Sequence, residues 1–154
     1  MWTSEYAGRL IDLDLSSISD EAQYVPEDVP LTFSTPFLAL DLLRATTPQR
    51  HLYRHDLESF YWSFVWIVLN QLQSKNTKSL LEAWRKGAKT VIAQAKETLF
   101  QHRMRRIVFA ELSQKSPPIS DCLEKLTELM ARAYKELDEG RERISYEAFL
   151  NIFP

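Results

Sequence analysis

Glycine is scarce in this 154-residue chain: only Gly8, Gly87 and Gly140 are present, where average usage of ~7% would give roughly 11. Neither a Walker A loop nor a G-x-G-x-x-G turn can be written with glycines so far apart. A phosphate cradle built on close backbone approach is therefore excluded from these residues. Few glycines also mean few positive-φ turns, which favours a helical domain over a sandwich or barrel. Cys122 is the single cysteine, so no intrachain disulfide forms, which fits a reducing compartment. The longest apolar run, Phe60 to Leu69, is interrupted by Ser63 and falls far short of the ~20 residues needed to span a bilayer. The opening MWTSEYAGRLIDLDLS lacks the basic start and apolar core of a signal peptide. The expected setting is intracellular, cytoplasmic or nuclear, and neither secreted nor membrane-bound. Neither sign of charge dominates: a net −2 offers nucleic acid no bulk attraction.

What is present suits one globular domain with a sizeable core: 45% of residues are hydrophobic and 12% aromatic. Residues 9–15, RLIDLDL, alternate apolar and acidic positions like a short strand. Residues 16–36, with Pro26, Pro30 and Pro36, read as an irregular loop of the long kind that is usually functional or disordered. A short helix is expected at 37–44. Asp56 stands as N-cap before LESFYWSFVWIVLNQL, a helix whose apolar residues cover every face and which therefore belongs in the middle of the domain.

From Thr77 to about Gln101, Leu80, Leu81, Trp84, Ala88, Val91, Ile92, Ala95 and Leu99 form one apolar stripe, with a break expected at Gly87. Lys78, Arg85, Lys86, Lys89 and Lys96 are read as mostly its wet side, so the 9 basic against 2 acidic residues between Lys75 and Arg106 describe largely a solvated face. RMRRIVFAEL continues to Ser116-Pro117-Pro118. Asp121 and Glu124 then resemble a capping box opening a helix with Cys122, Leu126, Leu129, Met130, Ala133 and Leu137 on its stripe, closed by Gly140. Ser145 can cap a last short helix.

Isolated chemical signals are sparse. His51 and His55 are four apart, as in H-E-x-x-H metal sites, but no third ligand accompanies them, and His55 is read as ordering the start of the central helix. Arg103, Arg105 and Arg106 form a basic cluster that reads as a wet helix face rather than a phosphate site. Ser59, inside an apolar helix with no strand–turn context around it, reads as a packing residue.

Three stretches in order say more: GRLIDLDLS (8–16), FSTPFLALDLL (33–43) and YRHDLESFYWSFVWIVL (53–69). Together they resemble the second half of a protein-kinase large lobe in the fungal-type protein kinase family. That family shows segments like G-V-L-I-D-F-D-L-A, G-T-x-P-F-M-A-x-E-L-L and H-D-L-E-S-F-x-x-V-L-x-W. His55 to Phe60 agree with the last letter for letter, and Trp66 falls at its tryptophan.

The resemblance implies a fold class that is mainly α, a partial protein-kinase-like C-terminal lobe with at most one short strand or hairpin near residues 9–15. It also implies a division into an activation-segment-like region, 8–43, and a helical subdomain, 44–154. Asp12 stands at the aspartate of the D-F-G motif, which holds Mg²⁺ against nucleotide phosphates; the plainer reading is that Asp12 and Asp14 face water. Asp14 replaces that motif's glycine. Asp41 takes the place of the A-P-E glutamate, whose usual partner is an arginine from a later helix, here one of Arg103, Arg105, Arg106 or Arg132. Phe33-Ser34 sit where the family has Gly-Thr. Asp56 matches the aspartate that opens the lobe's central helix, a structural role it shares with a simple N-cap.

The family activity implied for the complete protein is phosphoryl transfer from Mg²⁺-ATP to a protein serine or threonine. The 154 residues contain no glycine-rich loop, no ATP-anchoring lysine motif, and no catalytic-loop aspartate or asparagine within 1–7. This chain alone is thus expected to be inactive and to bind neither ATP nor Mg²⁺ tightly; its protein substrate or partner is not identified by the sequence, and the missing N-terminal lobe is one candidate. The competing reading is a non-catalytic, pseudokinase-like helical interaction module.

Overall fold

The computed structural model describes residues 35–47, 49, 52–72, 74–138 and 144–153. Asp12, His51, the strand expected at 9–15 and most of the 16–36 loop lie outside the described residues. Within them the chain is helical and no strand occurs. A single 3-10 turn, Thr35–Phe37, leads into α1 (Leu40–Arg44), α2 (Tyr53–Leu72), α3 (Lys75–Lys86), α4 (Lys89–Glu97), α5 (His102–Lys115), α6 (Pro117–Asp138) and α7 (Tyr146–Leu150). No helix among the described residues is long and apolar enough to cross a membrane.

Helix α2 is the hub: the 3-10 turn, α3, α5 and α6 all pack on it, α1 rests on α4, and α5 and α6 run antiparallel across Ser116. The core is aromatic. Tyr61, Trp62 and Trp84 are fully buried. Trp62 meets Trp84 edge-on at 5.5 Å and Phe100 at 5.7 Å, while Phe100 lies 5.5 Å from Tyr134. Such edge-to-face contacts add to the area these rings bury.

Several element boundaries differ from the sequence reading. Helix α2 begins at Tyr53, three residues before Asp56. His55 explains the early start: its Nδ1 accepts the Leu52 N–H at 3.0 Å, satisfying a donor at the helix mouth as a capping-box side chain does. Asp56 lies instead in the first turn, where the helix dipole favours a carboxylate. Nor is α2 covered all round. Tyr53, Phe60 and Ile67, seven residues apart on one face, remain 56%, 69% and 59% exposed.

The break at Gly87 is present, since α3 ends at Lys86 and α4 starts at Lys89. A Cβ at Gly87 would sit 2.4 Å from the Ala83 carbonyl oxygen, so the crossing is tighter than any other residue allows. Ser74 caps α3 by accepting the Thr77 N–H at 3.2 Å, and Ser145 caps α7 by accepting that of Ala148 at 3.1 Å. Helix α6, by contrast, starts at Pro117 rather than after Asp121. A proline in the first turn has no N–H to leave unpaired, and Asp121 instead pairs with Lys125 one turn on, at 2.7 Å. Cys122 is half-buried against the core. The largest correction concerns Lys96, which is wholly buried rather than on the wet face of α4.

Candidate functional site

Two polar clusters sit where the segment 35–44 meets the helical body. The first is built on Asp41, in the first turn of α1. Its Oδ2 accepts from the Arg54 guanidinium and from His55 Nε2 at 3.0 Å, and its Oδ1 accepts the Leu42 N–H at 2.8 Å. With His55 Nδ1 facing the Leu52 N–H, Nε2 is the ring nitrogen turned to Asp41. Burial by itself would raise the Asp41 pKa. The hydrogen bond and charge of His55, then those of Arg54, outweigh it and bring the carboxyl down to about 2. Asp41 is thus a carboxylate throughout the physiological range.

The second cluster lies deeper. Glu58, 3% exposed, accepts the Leu40 N–H at 2.7 Å and the Trp62 indole N–H at 2.8 Å on the same oxygen. Lys96, fully buried, donates to the Leu38 carbonyl. Its ammonium sits 4.6 Å from the centre of the Trp62 ring and 5.6 Å from that of Trp84, cation–π distances that partly replace lost hydration. The Trp62 indole therefore touches both charges, its edge on Glu58 and its face under Lys96. Burial raises the Glu58 pKa, against the pull of Tyr134, Trp62, the Leu40 amide and the Lys96 charge. Burial lowers that of Lys96, opposed by the Glu58 charge. The Tyr134 hydroxyl faces the same carboxylate, and burial and the Glu58 charge push it well above its ordinary value.

Of the residues singled out in the sequence, Asp41 and His55 come together and Asp56 lies on the turn beside them. The expected partner of Asp41 is corrected. Among the described side chains it is Arg54, one residue before His55 on α2, rather than Arg105, Arg106 or Arg132, and the Arg103 side chain lies outside the described ones. Arg105 is engaged with Glu128 at 2.8 Å and Glu124 at 3.3 Å across the α5–α6 hairpin. Arg54 is near in space because α1 and the start of α2 are joined by a short connection, which a search among later helices overlooks.

Glu58 and Lys96 were missed as a pair. A signal existed for each: Glu58 is the one carboxylate in the run that follows Asp56 to the end of α2, four residues before Trp62, and Lys96 falls four after Ile92 and three before Leu99 on the apolar stripe. No group of three or more His, Cys, Asp or Glu side chains that could hold a metal occurs among the described residues.

The three sequence stretches resemble the fungal-type protein kinase family, and the last two of them run through α1 and the central aromatic helix α2. The comparison with known families agrees: the fungal protein kinase family model matches residues 2–68. The match runs from before Asp12 through Asp41, His55 and Glu58 to Val68, so the chain is similar to that family over the first two stretches and all but the last residue of the third, and Lys96 lies beyond it. No curated protein and no solved structure matches the chain.

Proposed function

We propose that these residues form the substrate-side helical part of a fungal-type protein-kinase-like fold, with 8–43 as its activation-segment-like region and 44–154 as the body that holds it. The observation that carries this reading is the engagement of Asp41, at the A-P-E-like position, by Arg54 and His55 of α2. Both partners lie within the family-matched stretch. In the complete protein the reaction would be phosphoryl transfer from Mg²⁺-ATP to a protein hydroxyl, with Asp12 as the oxygen ligand a hard ion needs. The setting would be intracellular, with a protein substrate.

The sequence carries neither the glycine-rich loop nor the catalytic-loop aspartate and asparagine motif that supply the base and the phosphate donors in that family, so the 154 residues alone are expected not to catalyse the step. Calorimetric titration of the chain with Mg²⁺-ATP tests this half of the reading. Weak, non-saturating heats are expected. Tight saturable binding that Asp12→Ala abolishes would overturn it.

A second reading, a non-catalytic interaction module, draws support from Trp62 and Tyr61, which the chain's own helices bury completely. The open face of Tyr53, Phe60 and Ile67 weighs against full autonomy, since an exposed apolar stripe on a hub helix calls for a covering partner.

A further inference from the structure

Lys96 and Glu58 come from different helices, α4 and α2, yet grip the same three residues of backbone. Lys96 takes the carbonyl of Leu38 and Glu58 the amide of Leu40, on either side of fully buried Ala39. Burying each charge carries a desolvation cost that an apolar residue would not. What the pair supplies is directional: one acceptor and one donor, matched to the two backbone polarities where the chain turns from the 3-10 turn into α1. Helix α1 is five residues long, too short to hold itself in water. Its N-cap, Ala39, has no side-chain hydrogen bond to offer.

We propose that Glu58 and Lys96 are positioning residues, a buried two-handed clamp that fixes the backbone of Leu38–Leu42 and so sets the docked position of Asp41. The clamp extends the proposed function, on which its biological meaning rests: it would place the end of the substrate platform, with half of it contributed by α4, outside the family-matched stretch. Its physical existence is tested on the backbone, independently of any phosphoryl transfer.

The groups facing the pair are Asp41 from α1, Tyr61 and Trp62 from α2, Trp84 from α3 and Tyr134 from α6, with the Arg105 charge of α5 acting on Tyr61. Both tyrosines are pushed upward by burial first, so they stay neutral while the clamp titrates. Glu58, raised by burial, takes its proton above the ordinary 4.5; Lys96, lowered by burial, loses its proton below the ordinary 10.5. Protonating Glu58 weakens the acceptor for Leu40, and neutralising Lys96 weakens the donor to Leu38. Protection of this segment therefore falls at both ends of that interval.

Amide hydrogen exchange of the 154-residue chain, corrected for intrinsic rates, provides the test, with the α5–α6 hairpin as internal reference. Lys96→Met is expected to speed exchange across Leu38–Leu43 about tenfold, the worth of one charge-assisted hydrogen bond, and to remove the alkaline fall. Glu58→Gln is expected to remove the acid fall. A folded Lys96→Met chain with unchanged protection and an unchanged pH profile would overturn the proposal. Should that variant not fold, wild-type protection of Leu38–Leu43 that stays flat from pH 4.5 to 10.5 would overturn it equally. Loss of the clamp signature refutes the clamp alone, whereas the kinase-like reading stands or falls on activity.

Discussion

Replacing Asp41 by asparagine removes one charge and little volume, so its consequence can be worked from the geometry. The carboxyl moves from 3.8 in the unfolded chain to about 2 in the folded one. At about 1.4 kcal/mol per pKa unit this amounts to roughly 2.5 kcal/mol. The side chain is 31% exposed, so solvent screening reduces the figure to about 1–1.5 kcal/mol.

The sign follows from the direction of the shift. A depressed carboxylate stabilises the fold above its unfolded pKa, and that contribution drains away as pH falls through 3.8 towards 2. Urea unfolding followed by tryptophan fluorescence is the assay, since Trp62, Trp66 and Trp84 sit in or against the core. With a slope of about 2 kcal/mol per molar, Asp41→Asn should lower the midpoint by roughly 0.5–0.8 M at pH 7. The two proteins should converge near pH 2. Equal midpoints at pH 7, or a gap that persists undiminished at pH 2, would refute the assignment of Asp41 as the ion-paired anchor of α1.

Other consequences are as direct. Gly87→Ala forces a Cβ to 2.4 Å from the Ala83 carbonyl oxygen and should cost about 1–3 kcal/mol in thermal unfolding; a melting temperature unchanged from wild type would contradict the tight crossing. Trp62→Ala empties the centre of the aromatic cluster and strips a partner from both Glu58 and Lys96, so a loss of about 3–5 kcal/mol or outright failure to fold is expected by circular dichroism. The double change Phe60→Ser, Ile67→Ser touches only exposed positions and should shift stability by no more than about 0.5 kcal/mol while reducing self-association in light scattering. A large stability loss would mean that this face is covered.

The helical class was legible because periodicity reports burial: Leu80, Leu81, Trp84, Ile92, Ala95 and Leu99 of the stripe face the core, whereas Ala88 and Val91, just past the break at Gly87, are exposed. Gly87 was legible as a break and Ser145 as a cap because both act locally. Helix starts were harder. Asp56 and Asp121 have the chemistry of caps, yet His55 and Pro117 open the helices earlier, and only the path of the chain decides between such neighbours.

The polar partnerships were least legible. Nothing in the spacing of Asp41 selects Arg54 over a distant arginine. Lys96 looked like one more basic residue in a basic segment, because its burial depends on α1 lying across α4. Family resemblance located the Asp41 and His55 positions, but the family-model match ends at Val68, before the lysine that completes the deeper cluster.

The kinase-like reading is tested most directly by restoring what these residues lack. A chimera would join the upstream half of an active fungal-type kinase, with its glycine-rich loop, lysine and catalytic loop, to residues 8–154 of this chain. Phosphotransfer from radiolabelled ATP to a serine- and threonine-containing protein would then be measured with and without Mg²⁺. The account predicts Mg²⁺-dependent transfer by the chimera, its loss in Asp12→Ala, and none by the 154 residues alone. A well-folded chimera without transfer, or one indifferent to Asp12→Ala, would contradict it.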